Sequence, residues 1–383
     1  MTFEPSDEQR ILCDTARKFF AREFPLTKLR VIERDGPGSF VPVYRSMGEM
    51  GWLGLGLASG LAPEQAASLP QEASGSWLDL ALLAEEAGRA LAPTVQIASM
   101  TLAGRALLAA GAGAAQHERI AGLIAGRHII APAVIEGDEA TRERPAATRA
   151  VRVADRVEIS GAKRFVEHFD IATELLITAT QSDGAPCLAI VPRSATGITA
   201  EQVQLTSRDT MHHLRLDRVT VPVSDVVRID ERAWLHIVDG AKIIVAAWAT
   251  GAASAALDLA VAYAKIRHQF GRPIGSFQAV QHRLADAAMS LEPATAMVRY
   301  AAWRYGTGTA SAREAAMARL TAGRAVRLVT HAAALTHGGY GFMEEFDIQL
   351  HVRRARQLEH MLEGPALQRE IIASESVEDL LRV

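Results

Sequence analysis

Arg267, Phe270, Gly271 and Gln278 fall within IRHQFGRPIGSFQAVQHRLADA, residues 266 to 287, at a spacing that could serve a ligand. A guanidinium supplies a permanent charge and a planar fork of donors that matches phosphate oxygens. Gly271 permits close backbone approach, and Gln278 adds an amide one helical stretch later. The set suits a phosphate-bearing ligand; the same residues would equally form a solvated helix-loop-helix corner around the Gly-Arg-Pro break. HGGYGF, residues 337 to 342, adds Gly338, Gly339 and Gly341, a loop whose main-chain N–H groups can approach a ligand. Carboxylates are the remaining chemistry. Glu363, in HMLEGPALQREIIASE, stands where a helix begins, a position that suits an ordinary surface Glu. Glu85 and Glu86 are adjacent, so on a helix they point about 100° apart, and a solvated face suits them better than a shared site.

The elements that must position these groups follow from composition and period. A chain of 383 residues suggests two or three domains. Plentiful aliphatics and few aromatics favour an Ala- and Leu-rich helical protein. The formal net charge of -3 gives no global attraction to nucleic acid or to anionic membranes, so any phosphate site must be local. Cys13 and Cys187 lie far apart without metal-ligand spacing, which argues against a structural metal or a disulfide framework and fits a reducing cytoplasm. The acidic N-terminus carries no signal-peptide pattern. Ile243 to Ala264 is the most apolar stretch; Asp258 interrupts it and small residues dominate it, as in a buried bundle helix rather than a membrane span.

Along the chain, Ser6 and Gln9 make a capping-box pattern ahead of Ile11, Leu12, Ala16, Phe19 and Phe20 at helical spacing. ASGLAPEQAASLPQEASGS, residues 58 to 76, is expected to be a surface loop. WLDLALLAEEAGRALAP, 77 to 93, and residues 98 to 126 complete a helical domain over 1–126. From His128 the period alternates, through VRV at 151, VEIS at 157, LAIV at 188, HLRL at 213 and VTVPV at 219, which defines a β domain over 127–230. Phe165 and Glu167 on their own would be one residue in and one out on an ordinary strand. Residues 231–383 return to helix, with runs at 289 to 304 and 310 to 336.

AYAK before Arg267, LAD after Gln278 and the GGxG segment some 70 residues later resemble the acyl-CoA dehydrogenase flavoproteins, and the likeness spans the chain in order, most strongly at 77 to 93, 262 to 287 and 337 to 355. The resemblance implies a mostly α fold with a β middle domain: an N-terminal helical domain, a small β-barrel or sandwich domain and a C-terminal four-helix bundle. It implies FAD as cofactor, with Arg267, Phe270 and Gln278 reaching the pyrophosphate and adenosine of a neighbouring subunit, the glycines 338, 339 and 341 beside the adenosine diphosphate, and Phe165 beside the flavin. Asp239 and Lys242 match positions near the thioester and pantetheine of acyl-CoA; on residue type alone Asp239 would favour a helix N-terminus and Lys242 would be solvated. The implied reaction is α,β-dehydrogenation, a carboxylate removing the α-proton while flavin N5 takes the β-hydride, with Glu363 as base and Glu359 in reserve. Implied partners are an electron-transfer flavoprotein as acceptor and further copies or a paralogue in a homo- or heterotetramer. RRAR at 353 to 356 resembles the branch acting on steroid and other bulky CoA esters, and would also serve as a solvated basic face.

The sequence departs from the family pattern at several points. Glu167 and Ile135 stand where Thr residues usually meet the flavin, Leu335 replaces a Gln before the glycine loop, and Pro365 replaces the Thr of the Glu-Gly-Thr segment. Glu363 falls one residue late when counted from Gly341. Ala241 occupies the position at which the isovaleryl-CoA dehydrogenase branch carries its base. These departures keep two other functions open: a non-catalytic partner subunit of a heteromeric enzyme, and a flavin monooxygenase or nitroalkane oxidase.

Overall fold

In the computed structural model, residues 5–59, 69, 73–111, 114–137 and 146–381 are described. The helices in chain order are α1 (Asp7–Glu23), α2 (Leu26–Asp35), α3 (Val41–Glu49), α4 (Trp77–Arg89), α5 (Arg105–Ala109), α6 (Ala114–Ile124), α7 (Glu231–Ile266), α8 (Gln278–Gly306), α9 (Ala312–His337), α10 (Ile348–His360) and α11 (Pro365–Leu381). The strands are β1 (Ile130–Ala133), β2 (Arg149–Val153), β3 (Arg156–Glu167), β4 (Glu174–Gln181), β5 (Pro186–Pro192), β6 (Ile198–Val203), β7 (Met211–Pro222), β8 (Val226–Arg228), β9 (His268–Gln269) and β10 (Arg272–Pro273). Contacts divide the chain into two units, one of residues 1–30, 76–92 and 242–383, the other of 31–75 and 93–241.

The first unit is helical. Ser6 caps α1 as expected, its hydroxyl accepting from Gln9 N while the Gln9 amide oxygen accepts from Ser6 N. Helix α9, rich in alanine, packs against α8, α10 and α11 and buries Ala315, Ala318, Ala322, Val326, Val329 and Ala333. Helix α7 has the length and apolarity to cross a membrane, yet 72% of its most apolar window is buried inside the protein, as a bundle-core helix requires. Its contact with α4 needs two glycines: a Cβ on Gly88 would be driven into the Trp248 carbonyl, and one on Gly251 into the Glu85 carbonyl. Both obstacles are backbone and cannot rotate away. We expect Gly251→Ala to lower stability by about 3 kcal/mol or more, at the upper end of overpacking costs, measured by urea unfolding; an unchanged midpoint would mean the helices separate at little cost.

The expected solvated face for Glu85 and Glu86 is corrected by the structure. Glu86 is buried and takes a two-pronged bond from Arg17 at 2.6 and 2.9 Å, and Glu85 takes one from Arg299 at 2.8 and 3.1 Å. Two neighbouring carboxylates thus anchor two different helices, α1 and α8, onto α4. Similarly, only Arg356 of the 353–356 run is exposed, Arg354 being buried. The surface-loop expectation for 58 to 76 falls mostly outside the described residues.

The second unit is built on a sheet of eight strands in the order β6-β7-β3-β2-β4-β5-β8, with β1 added in parallel to β4. Strands β4 and β5 are buried almost throughout, which explains the near-continuous apolar runs LLITA and CLAIV. The pairing of β3 with β7 shifts register between Ile159 and Gly161 and again between Lys163 and Val166. Alongside lies a π-helical turn, Ile97–Gly104, buried along its whole length.

Each unit also holds a histidine of reduced proton affinity. His168 and His351 are held down to about 4, chiefly because burial penalises the charged ring. An unfolded histidine binds a proton near 6.5, so between about 6.5 and 4 the unfolded chain holds more protons than the fold. Stability from these groups is complete above 6.5 and falls as the pH drops through that window, by roughly 2 kcal/mol per histidine at pH 5. His351→Gln, which keeps a donor for Ala252 O, should flatten that slope in denaturant titrations at pH 7 and 5.

Candidate functional site

Between α7 and α8 the chain makes a two-residue hairpin, β9 and β10 pairing Gln269 with Arg272. Phe270 and Gly271 form its turn with φ of +55° and +78°, the left-handed pair that a primed hairpin turn demands. Glycine accepts this freely; phenylalanine does not. Phe270 is also 93% exposed. Neither backbone preference nor burial accounts for an aromatic there. Gln278, also exposed, is the first residue of α8, and Arg267 is exposed just past the end of α7.

The fold brings the glycine loop to this corner. The Arg267 guanidinium lies 5.7 Å from the centre of the Tyr340 ring, and Tyr263 stacks on His337 at 4.4 Å. Gly338 has φ +63°, and a Cβ on Gly338 or Gly339 would meet nothing within 4 Å, so both leave open space beside the cation. Gly341 differs: a Cβ there would strike the Ala334 carbonyl, so close packing onto α9 requires that glycine. An exposed guanidinium, an aromatic face and an open glycine backbone together fit a phosphate-bearing adenosine group. Tyr340, the residue that joins the two segments, was not singled out in the sequence although it lies inside HGGYGF.

Glu363 and Lys242 are brought together within the same unit. Lys242 is fully buried on α7, and its Nζ contacts Glu363 Oε2, on a side chain only 5% exposed. The solvated alternative for Lys242 is thereby corrected. Leu362 and Glu363 both have left-handed backbone, φ +52° and +78°, a conformation suited to glycine, so the connection from α10 to α11 holds its carboxylate at a conformational cost. Four hydrogen bonds support that connection. Arg319, fully buried, donates from Nε to Met361 O at 3.0 Å and from Nη2 to Leu358 O and Met361 O, and Gln368 Nε2 donates to Glu363 O at 3.3 Å. Glu359, the reserve carboxylate, is paired with Arg327 at 3.1 Å and with Arg356 at 3.5 Å.

The remaining candidates belong to the other unit. Phe165 lies in the second bulge of β3 with φ +51°, its ring edge-on to His213 at 4.9 Å; a bulge of this kind re-aims a side chain out of strand alternation. This explains why a simple in-and-out strand pattern does not describe Phe165 and Glu167. Glu167 accepts from the Thr94 hydroxyl at 3.1 Å, and Thr94 lies 3.0 Å from His168 Nε2. Lys163, buried beside them on β3, bonds Glu136 and Thr178, and burial lowers its ammonium to about 8 against the pull of Glu136. Asp239 is buried two turns into α7, so it is no N-terminal residue of that helix; it lies near His236, whose proton affinity burial reduces.

The architecture of helical bundle and β unit is the acyl-CoA dehydrogenase fold. Residues 6–127 match the N-terminal domain model of acyl-CoA dehydrogenases and residues 235–376 the C-terminal domain model. A probable acyl-CoA dehydrogenase of Bacillus subtilis (strain 168) is 30% identical over 97% of this chain and 99% of its own length. Among solved structures, a variant of the steroid ACAD Tcur3481-Tcur3483 shares 28% identity with a TM-score of 0.84, covering 98% of this chain and 99% of that one. The ChsE4-ChsE5 complex of Mycobacterium tuberculosis has the same fold, with a TM-score of 0.86 at 23% identity over 99% of both chains. The chain therefore belongs to the acyl-CoA dehydrogenase family, whose members are FAD flavoproteins and oxidoreductases acting on CH–CH donors.

Proposed function

We propose that this protein removes two hydrogens from the α and β carbons of an acyl-CoA thioester, with Glu363 as the general base. The observation that carries this reading is the buried Glu363 carboxylate held on left-handed backbone against the fully buried Lys242. The contact with Lys242 holds the carboxylate in place, as a base must be held before the proton arrives. The α-proton passes to a Glu363 oxygen. Lys242 and Asp239 position the thioester end of the substrate. FAD, when bound, supplies the acceptor for the β-hydride at N5. Arg267, Gln278 and the open backbone at Gly338 and Gly339 hold its pyrophosphate and adenosine, Gly341 sets the loop against α9, and Phe165 borders the flavin.

In this reading Phe270 and the Arg267 corner serve a neighbouring copy, so the working form is a tetramer, homomeric or shared with a paralogue. Sedimentation of the FAD-loaded protein tests it, and a stable monomer that retains FAD contradicts it. Removing the cation should weaken FAD binding tenfold to hundredfold in Arg267→Ala, the worth of one charge-assisted contact, read from retained absorbance after dialysis. Domains over 1–126, 127–230 and 231–383, a cytoplasmic location, a bulky steroid-like acyl group and an electron-transfer flavoprotein as acceptor complete the proposal; the two matched regions support the outer domain boundaries, and the named steroid relative supports the acyl class.

A second reading, a partner subunit that completes the sites of a catalytic paralogue, is favoured by one observation: Glu167 and Thr94 bond one another, where the family pattern has a Thr for the flavin. Flavin bleaching by a panel of acyl-CoAs decides between them. Bleaching by the pure protein supports the enzyme; FAD uptake only with a paralogue supports the partner.

A further inference from the structure

A cavity of about 350 Å³ lies in the helical unit among α9, α10 and α11, lined by Arg319, Arg324, Arg327, Arg369, Glu359 and Gln368 together with small and apolar neighbours. Its size falls within the range of small-molecule sites. Its charge is lopsided in a chain whose net charge is -3. Glu359 is already paired with Arg327 and Arg356, and Arg319 is committed to the carbonyls that end α10. Arg324 and Arg369, on two different helices, face the same space with no ion pair among the described residues. Two guanidinium groups lining one cavity, both open to solvent, match a phosphate. The N-terminal end of α11, which is positively polarised, contributes Pro365, Gln368 and Arg369 to the wall.

Gln368 adds a second, independent demand. Its side chain is 1% exposed, Nε2 is used on Glu363 O, and Oε1 has no partner among the described residues. A buried acceptor left open calls for a donor. The dianionic phosphate group of a monoester carries no proton to give; an alcohol hydroxyl on the same molecule does.

We propose that this cavity binds a small phosphorylated alcohol, with the phosphate between Arg324 and Arg369 and a hydroxyl donated to Gln368 Oε1. The occupant then bears on the two side chains, Arg319 and Gln368, that hold the connection carrying Glu363, so binding steadies residues 361 to 364. That last consequence rests on the reading of Glu363 as base; the binding itself does not.

Calorimetric titration of the FAD-loaded protein with glycerol 3-phosphate tests it, alongside inorganic phosphate and coenzyme A. Saturable binding is expected, tighter for glycerol 3-phosphate than for inorganic phosphate. Arg324→Ala with Arg369→Ala should weaken it at least tenfold while FAD content and coenzyme A affinity stay as in the parent. Gln368→Leu should abolish the preference for the hydroxyl-bearing ligand while keeping phosphate binding. No saturable binding of glycerol 3-phosphate overturns the proposal, as does full affinity in the double arginine variant. Displacement of the ligand by coenzyme A, or loss of FAD in that variant, would assign the cavity to the substrate or cofactor site and equally overturn it. Loss of acyl-CoA turnover in Glu363→Gln with ligand binding intact separates this site from the reading of the base.

Discussion

Glu363→Gln should lower the rate of flavin reduction by an acyl-CoA by roughly 10²–10⁴-fold, the usual worth of a positioned general base. Glutamine keeps the size and an oxygen for Lys242, so acyl-CoA and FAD should still bind. The measurement is stopped-flow bleaching at saturating substrate, with FAD content and ligand affinity taken on the same preparation. A small change in rate would mean that Glu363 takes no proton. Glu359→Gln is then the comparison, expected to be near neutral for chemistry because Arg327 and Arg356 hold that carboxylate.

Lys242→Met should destabilise the helical unit by about 3–5 kcal/mol, the cost of leaving one member of a buried ion pair without the other. The reverse deletion, Glu363→Leu, leaves a buried ammonium and should cost a similar amount. The double substitution removes both charges, and most of the lost stability should return, since well-packed apolar side chains often replace a buried pair without penalty. Urea unfolding of the four proteins reads the cycle; unchanged slopes show that the unfolded state is not the cause. Activity should not return in the double variant. Additive losses, with no recovery, would show that the two side chains do not interact.

Much of the fold was legible because its signals are local. The capping box at Ser6, the apolar run of α7 and the alternating strands from 151 to 223 each express a period or a cap within a dozen residues. The family likeness supplied the order of the pieces. Pairings across long stretches of sequence were not legible. Nothing near Glu86 announces Arg17, and nothing near Lys242 announces Glu363, 121 positions later. Adjacent glutamates on a helix suggested solvent because charged residues are rarely buried unless paired, and their partners lie on other helices. Left-handed backbone at Phe165, Phe270 and Glu363 was equally hidden, since residue type predicts such a conformation only for glycine and, weakly, asparagine.

Gly88 and Gly251 sit on facing helices, Gly88 against the backbone of Trp248 and Gly251 against that of Glu85. Elsewhere in a core, an enlarging change on one side can be rescued by a shrinking change opposite, and lineages drift through such exchanges. Here that route is closed, because no residue is smaller than glycine. The only relief is for the α4 and α7 axes to move apart, which would disturb every other contact along 77 to 92 and 242 to 266. The crossing is thus a fixed point for sequence divergence: among relatives that retain this geometry the two positions should stay glycine together, and randomised libraries should leave both untouched.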